Sequence, residues 1–301
     1  MTQLLDPKLD YIFKNVFGVE KNKAVLRSFL NALLKGKPYI EDLHLDNTDI
    51  TKVLGENKGS RLDIKATSDD GTVLNIEIQC RNSGEIPQRA FHYLANMMPS
   101  TIKPGGSYRG ANVISIWILG ENVTNRQDAI SDAYMTFQPN GADPYQVLTD
   151  CARIIFLELQ KFNVKDADTH DLLTGWISFL KDPIVMDDVF LQVEEVKQAM
   201  STLKYISADD EVRAIADILQ KTINDYNSEM TVAIETGLAK GLEEGLAKGL
   251  AEGQAKGKAE GKAEGLRITA ASMLKDGVPT AAISKYTGLS VSEIEALQTH
   301  S

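Results

Sequence analysis

The segments Arg61-Leu62-Asp63-Ile64-Lys65-Ala66 and Asn75-Ile76-Glu77-Ile78-Gln79 alternate apolar and polar side chains on either side of Ser68-Asp69-Asp70-Gly71-Thr72. A period of two belongs to strands with one buried face, and a short glycine-containing loop between two such strands makes a hairpin. Loop length then decides which side chains meet. A two-residue Asp-Gly loop would pair Asp63 with Ile78 and send Asp63 and Glu77 to opposite faces. A three-residue loop, Asp69-Asp70-Gly71 with Gly71 left-handed as a G1 bulge, pairs Ser68 with Thr72 instead. It sets Leu62, Ile64 and Ala66 opposite Ile78, Ile76 and Leu74 on one dry face, with Asp63, Glu77 and Gln79 together on the other. Only this register buries every apolar residue of both arms at once, and a one-residue slip would expose them all.

The same register puts Asp63 directly across from Glu77. Like charges opposed across a strand pair destabilise it, so a cation is expected between them. Lys65 and Arg61 are candidates, and so is a divalent metal held by oxygen ligands. On the hairpin alone a solvated face with ordinary ion pairs is the alternative.

The chain of 301 residues is long enough for a substantial core, with the composition of a globular protein. No charge-free apolar run reaches the length of a membrane span, and Met1-Thr2-Gln3-Leu4-Leu5-Asp6 lacks a signal-peptide pattern. Cys80 and Cys151, both in strand or strand-edge sequence, read as buried thiols of a cytoplasmic protein, not as a disulfide framework. Four scattered histidines have no zinc spacing. The net charge of -10 argues against a general polyanion binder, but the acidity is local. Residues 1–120 carry 15 Lys/Arg against 13 Asp/Glu, whereas residues 121–236 carry 9 against 21. The hairpin therefore sits in a slightly basic segment, and a nucleic-acid substrate stays open.

Leu9, Ile12, Phe13, Val16 and Phe17 form a helical stripe ended by Gly18, with Asp10 and Lys14 four apart on the other side. A second helix spans about 21–35, and a strand is expected near 40–45. After the hairpin, Pro87 opens a helix from Gln88 to about Ile102 that brings Arg89, Tyr93 and Asn96 to one side. Residues 112–119, Asn-Val-Ile-Ser-Ile-Trp-Ile-Leu, are apolar on both faces and read as a central strand; 153–159 reads as another. From about 168 to 235 the pattern is helical.

Glycine then recurs every fourth residue from Gly237 to Gly265, separated by Leu/Ala/Lys/Glu triplets. Each step turns about 400°, so the glycine row drifts by about 40° per repeat. Glycine costs a helix about 0.8–1 kcal/mol per residue against alanine, which makes an isolated helix marginal. Two readings stand: a polar spacer, or a helix packed along the drifting groove as a right-handed supercoil. Lys and Glu exclude a membrane GxxxG dimer. Beyond it, a helix over 266–276 breaks at Gly277-Val278-Pro279. Thr280 is expected to cap a short helix ended by Gly288, and Ser290 with Glu293 forms a capping box for a last helix from Val291. The arrangement is helix-turn-helix-like but lacks a cationic face, so a docking or assembly element fits it better than a DNA reader.

In order along the chain, Asp10-x-x-Phe13-Lys14-x-x-Phe17-Gly18, Leu62-Asp63-Ile64, Glu77-Ile78-Gln79 and Arg89-x-x-x-Tyr93 resemble the Rpn-type recombination-promoting nucleases, or PD-(D/E)XK nuclease family transposases. The likeness continues through Gly106-Ser107-Tyr108, 156–162, the glycine repeat and 287–297. It implies a restriction-endonuclease-like α/β core, a mixed sheet flanked by helices over 1–165. A helical extension (166–236), the repeat (237–265) and a small helical element (266–301) would follow. It also implies cleavage of DNA with Mg²⁺, for which Mn²⁺ can substitute. Asp63 and Glu77 would hold the metal, with the Ile78 backbone carbonyl as a further ligand and Asp10 at a position from which this fold often adds an acid. Gln79 stands where such sites usually have lysine; its amide can orient water or phosphate but brings no charge. Arg89 and Tyr93 would face the phosphate, the alternative for Arg89 being an ion pair with Glu77 or Asp63, and for Asp10 a pair with Lys14. The functional expectation is a Mg²⁺-dependent DNA endonuclease linked to recombination, mobile elements or defence, self-associating through its C-terminal region into a homodimer or larger oligomer. The competing expectation is a catalytically silent assembly or regulatory protein acting through the same C-terminal helices.

Overall fold

The computed structural model describes residues 3–46, 64–80, 84–102, 105, 112–137, 146–163, 171–186 and 188–298. They divide into two compact units, Met1–Asn227 and Ser228–Ser301.

The first unit is built on one six-stranded mixed sheet in the order β1-β2-β3-β4-β6-β5. The strands are β1 (Leu43–Leu45), β2 (Ile64–Ser68), β3 (Val73–Gln79), β4 (Val113–Leu119), β5 (Ile130–Phe137) and β6 (Gln146–Glu158). β2 and β3 are the hairpin arms, in the three-residue-loop register: Ile64 pairs with Ile76 and Ala66 with Leu74. Ser68 N–H donates to the Thr72 carbonyl and Gly71 has φ of 85°. Asp70 closes the turn by accepting from Ser68 Oγ and from the Thr72 N–H at 2.9 Å. Burial pushes the Asp70 carboxyl up, but these hydrogen bonds outweigh it and hold the group below its ordinary range.

β3, β4 and β6 run parallel at the centre, and β4 is buried along its whole length, as its unbroken apolar run predicts. β5 was not anticipated. Its sequence, Ile-Ser-Asp-Ala-Tyr-Met-Thr-Phe, gives no clean alternation. It lies at the edge of the sheet, antiparallel to β6, where only one neighbour constrains it. β6 also starts at Gln146, ahead of the expected 153.

Helices cover both sheet faces. On one, α1 (Asp10–Phe17), α2 (Lys23–Leu34), α4 (Leu172–Lys181) and α5 (Glu194–Ser207) share a core with Ile64, Leu74, Ile76, Ile116 and Leu157. Its centre is aromatic: Trp176 lies 5.6 Å from Phe17 and 6.2 Å from both Phe29 and Phe179. On the other face α3 (Ile86–Met97) packs Ile86 and Ala90 against Trp117, Leu119 and Phe156, and Leu94 against Val113 and Ala152. Gly18 permits the close approach of α1 to β2, since an added Cβ would stand 3.0 Å from Ile64.

Some local expectations need correction. Lys14 is not on a solvated side of α1; it is 1% exposed. Leu9, Phe13 and Phe17 span an arc that ends only about 60° from Lys14, so the buried stripe extends over it. Cys80 and Cys151 are both thiols and only half-buried, and Cys80 Sγ donates to the Lys8 carbonyl.

The glycine repeat is helical. It belongs to α6, which runs from Asp210 to Lys275. In the second unit the end of α6, α7 (Thr280–Thr287) and α8 (Val291–Gln298) enclose a small core of Ala270, Ile283 and Ile294. The capping box is present, with Ser290 N–H donating to Glu293 Oε2 at 2.8 Å and Glu293 N–H to Ser290 Oγ at 3.3 Å. Thr280, however, is the first residue of α7 and not its cap; Pro279 holds that place and makes no side-chain cap.

Candidate active site on the α3 face of the sheet

The polar edge of the hairpin is set by the register of β3 with β4. Asn75, Glu77 and Gln79 pair in parallel with Ser115, Trp117 and Leu119, so all six face α3. Glu77 is 5% exposed, and one of its carboxylate oxygens accepts from Asn75 Nδ2 at 3.2 Å. Burying an ionised carboxylate is costly without compensating donors or cations. The second predicted acid, Asp63, and its neighbour Leu62 lie outside the described residues.

α3 supplies the next layer. Tyr93 packs on Trp117 with ring centroids 5.6 Å apart, and the Arg89 guanidinium stands 5.6 Å from the Trp117 ring and 5.9 Å from the Tyr93 ring. Arg89 is half-buried, and the contacts seen for its guanidinium among the described residues are with these two rings. A guanidinium stacked on aromatic rings keeps its donors directed outward. Trp117 closes its own polar group internally by donating from Nε1 to Ser115 Oγ at 2.9 Å.

At the end of β3, Gln79 shares a pocket of about 210 Å³ with Asp10, Leu9, Cys80, Leu219 and Ile223. The structure thus brings together two residues that the sequence separates by most of the hairpin and two helices. Lys14 follows Asp10 one turn along α1, so this flank of the helix carries a buried ammonium as well as a half-buried carboxylate. Ile78 directs its side chain into the opposite core.

A second carboxylate on the same sheet face went unnoticed as a structural element. Glu158 ends β6 and is fully buried. It accepts from the Val123 and Thr124 backbone N–H groups, from Thr124 Oγ1 and from Lys161 Nζ at 2.6 Å. Burial pushes its carboxyl up, but the Lys161, Thr124 and Val123 hydrogen bonds together leave it below the ordinary value. The signal in the sequence was the spacing of Glu158 and Lys161 just beyond an apolar strand.

Among the described residues no cluster of three or more His, Cys, Asp or Glu side chains capable of holding a metal is present. The carboxylate of Glu77 and the amide of Gln79 are nevertheless hard oxygens of the class Mg²⁺ takes, whereas Asp10 comes from α1, which packs on the opposite face of the sheet. No helix among the described residues is long and apolar enough to cross a membrane.

A family model described as PD-(D/E)XK nuclease family transposase matches residues 7–233. No curated protein and no solved structure matches the chain.

Proposed function

The chain belongs to the PD-(D/E)XK nuclease family transposases, with their restriction-endonuclease-like fold, and from that premise we propose that it is a Mg²⁺-dependent DNA endonuclease. The observation that carries the reading is Glu77, a buried carboxylate two residues ahead of Gln79 on a central strand, with a ring-stacked arginine above the same face. Asp63, Glu77 and the Ile78 backbone carbonyl would hold Mg²⁺, with Asp10 as an added acid beside Gln79. When bound, the ion supplies a hydroxide-like nucleophile near neutral pH and offsets charge on the phosphoryl oxygens; Mn²⁺ can take its place.

The chain's own residues do the rest. The Asn75 amide orients the Glu77 carboxylate by donating to it. The Gln79 amide, with a donor and an acceptor but no charge, positions the attacking water or the scissile phosphate. Arg89 binds a non-bridging phosphate oxygen pair from its place over Trp117, and Tyr93 donates from the same helix. α3 and the rings beneath it exclude water from one side, which strengthens every charge interaction there.

The setting would be DNA recombination, mobile-element movement or defence against foreign DNA, in the cytoplasm. The C-terminal region would bring two or more copies together so that two sites act on two strands. The test is nicking of supercoiled plasmid with and without Mg²⁺. The wild-type chain nicks only with the metal, and Asp63→Ala reduces the rate by at least about a hundredfold. Undiminished cleavage by Asp63→Ala removes the proposed site and leaves the silent assembly role as the better reading.

A further inference from the structure

Along α6 one row of large apolar residues is left uncovered. Ile234, Leu238, Leu242, Leu246 and Leu250 recur every fourth residue and are 59–73% exposed. Beside them runs the glycine row, and at Gly241, Gly245, Gly249 and Gly253 an added Cβ would meet nothing within 4 Å. The two rows bound an apolar groove on the helix surface. A ridge of side chains at every fourth position beside a groove at every fourth position is self-complementary. When each ridge enters the other helix's groove, the axes cross at about 50°.

A third row decides the orientation. Lys240, Glu244, Lys248, Glu252, Lys256 and Glu260 alternate in sign, forming the pairs Lys240–Glu244, Lys248–Glu252 and Lys256–Glu260 at 3.8–3.9 Å, all well exposed. On the helical wheel the leucine row lies about 100° to one side of the glycines and the charged row about 100° to the other. In a parallel pair, the two-fold axis would set the leucine flank of one helix against the charged flank of its partner. In an antiparallel pair each flank meets its own copy, apolar on apolar and charge on charge.

We propose that α6 self-associates as an antiparallel, right-handed pair in which the leucine row of each copy covers that of the other. This rests on the reading that the C-terminal region joins two copies, and adds its geometry. The sign alternation fixes the register. A two-fold axis at Leu242, Leu246 or Leu250 sets Lys against Glu, whereas an axis at Glu244 or Lys248 sets like against like. Of the three, an axis at Leu246 faces Leu238 with Gln254 and Ile234 with Lys258, and one at Leu250 faces Leu242 with Lys258. The axis at Leu242 pairs the apolar row throughout: Ile234 with Leu250 of the second copy, Leu238 with its Leu246, and Leu242 with itself. It also brings Lys240 to Glu244 across the pair.

The test uses the full chain with Cys80→Ser and Cys151→Ser, so that added thiols are the only ones. Under mild oxidation Leu242→Cys should give a covalent dimer and Leu250→Cys alone should not. Mixed Ile234→Cys and Leu250→Cys chains should cross-link to each other. Leu242→Glu, at an exposed position that does not threaten folding, should weaken the dimer in sedimentation equilibrium by at least about tenfold. Equal cross-linking by Leu242→Cys and Leu250→Cys would mean that the leucine rows do not meet about an axis at Leu242 and overturn the geometry. So would failure of every cross-link in a chain that dimerises only when residues 237–301 are present, although C-terminal association would then stand. A chain monomeric at all concentrations removes both.

Discussion

Gly175 of α4 lies under Phe190, whose ring atoms would stand 2.5–3.0 Å from an added Cβ, whereas the glycines from Gly237 to Gly265 have open space in the same direction. The same residue type therefore reports opposite circumstances in the two regions. At Gly175 glycine is present because a neighbour already occupies the volume. In the repeat no neighbour among the described residues does, and the helix accepts about 0.8–1 kcal/mol per glycine. Apolar residues divide the same way. Trp176, Phe17 and Phe29 are fully buried by their own chain, while Leu238 through Leu250 are uncovered. A pattern that is complete within one copy needs no partner; the costly, uncovered pattern of the repeat is what motivates a second copy.

The difference can be broken or sharpened by substitution. The largest effect is expected at Trp176→Ala, which empties the centre of the aromatic cluster and should lower the unfolding free energy of the first unit by about 3–5 kcal/mol in urea titration. A loss under about 1 kcal/mol would mean that the core is not packed as described.

Next is Glu158→Gln, which leaves the Lys161 ammonium buried beside a neutral amide and should cost about 3 kcal/mol. The sign of its pH dependence follows from the lowered carboxyl. Its contribution is complete above the ordinary value near 4.5 and is lost as the pH falls through the lower folded value. The gap between wild type and Glu158→Gln in thermal unfolding should thus be full at pH 6–7 and close on acidification. A gap that widens in acid would contradict the assignment.

Gly175→Ala should cost about 1–3 kcal/mol through overpacking against Phe190. Gly245→Ala, with nothing within 4 Å, should instead raise the helical stability of the repeat by up to about 1 kcal/mol while narrowing the groove that a second copy would fill. More helix by circular dichroism together with weaker self-association is the expected pair of results. More helix with stronger association would mean that the groove is not the contact.

The hairpin was legible because turn chemistry and strand period demanded the same register, and Gly71 adopts the left-handed conformation on which that register depends. β4 was legible for a simpler reason: an apolar run with no polar face has only one place in a sheet. β5 was not, since an edge strand tolerates the mixed sequence it carries. In the candidate site, Glu77, Gln79, Arg89 and Tyr93 could be found from local pattern and resemblance. The packing of Arg89 and Tyr93 on Trp117, across from Glu77, could not, because the parallel register of β3 with β4 is a long-range fact. Lys14 was misplaced because an ammonium on a short amphipathic helix ordinarily faces water, and nothing local shows a helix covered on more than one side.

Whether the buried Glu77 carboxylate and Asp63 hold a divalent ion at the hairpin can be seen directly in a crystal soaked in Mn²⁺. An anomalous peak is expected within about 2.5 Å of carboxylate oxygens from both residues, lost in Glu77→Gln. Strong Mn²⁺ density elsewhere with none at the hairpin, or Asp63 and Glu77 carboxylates directed to opposite faces of the strand pair, would contradict it.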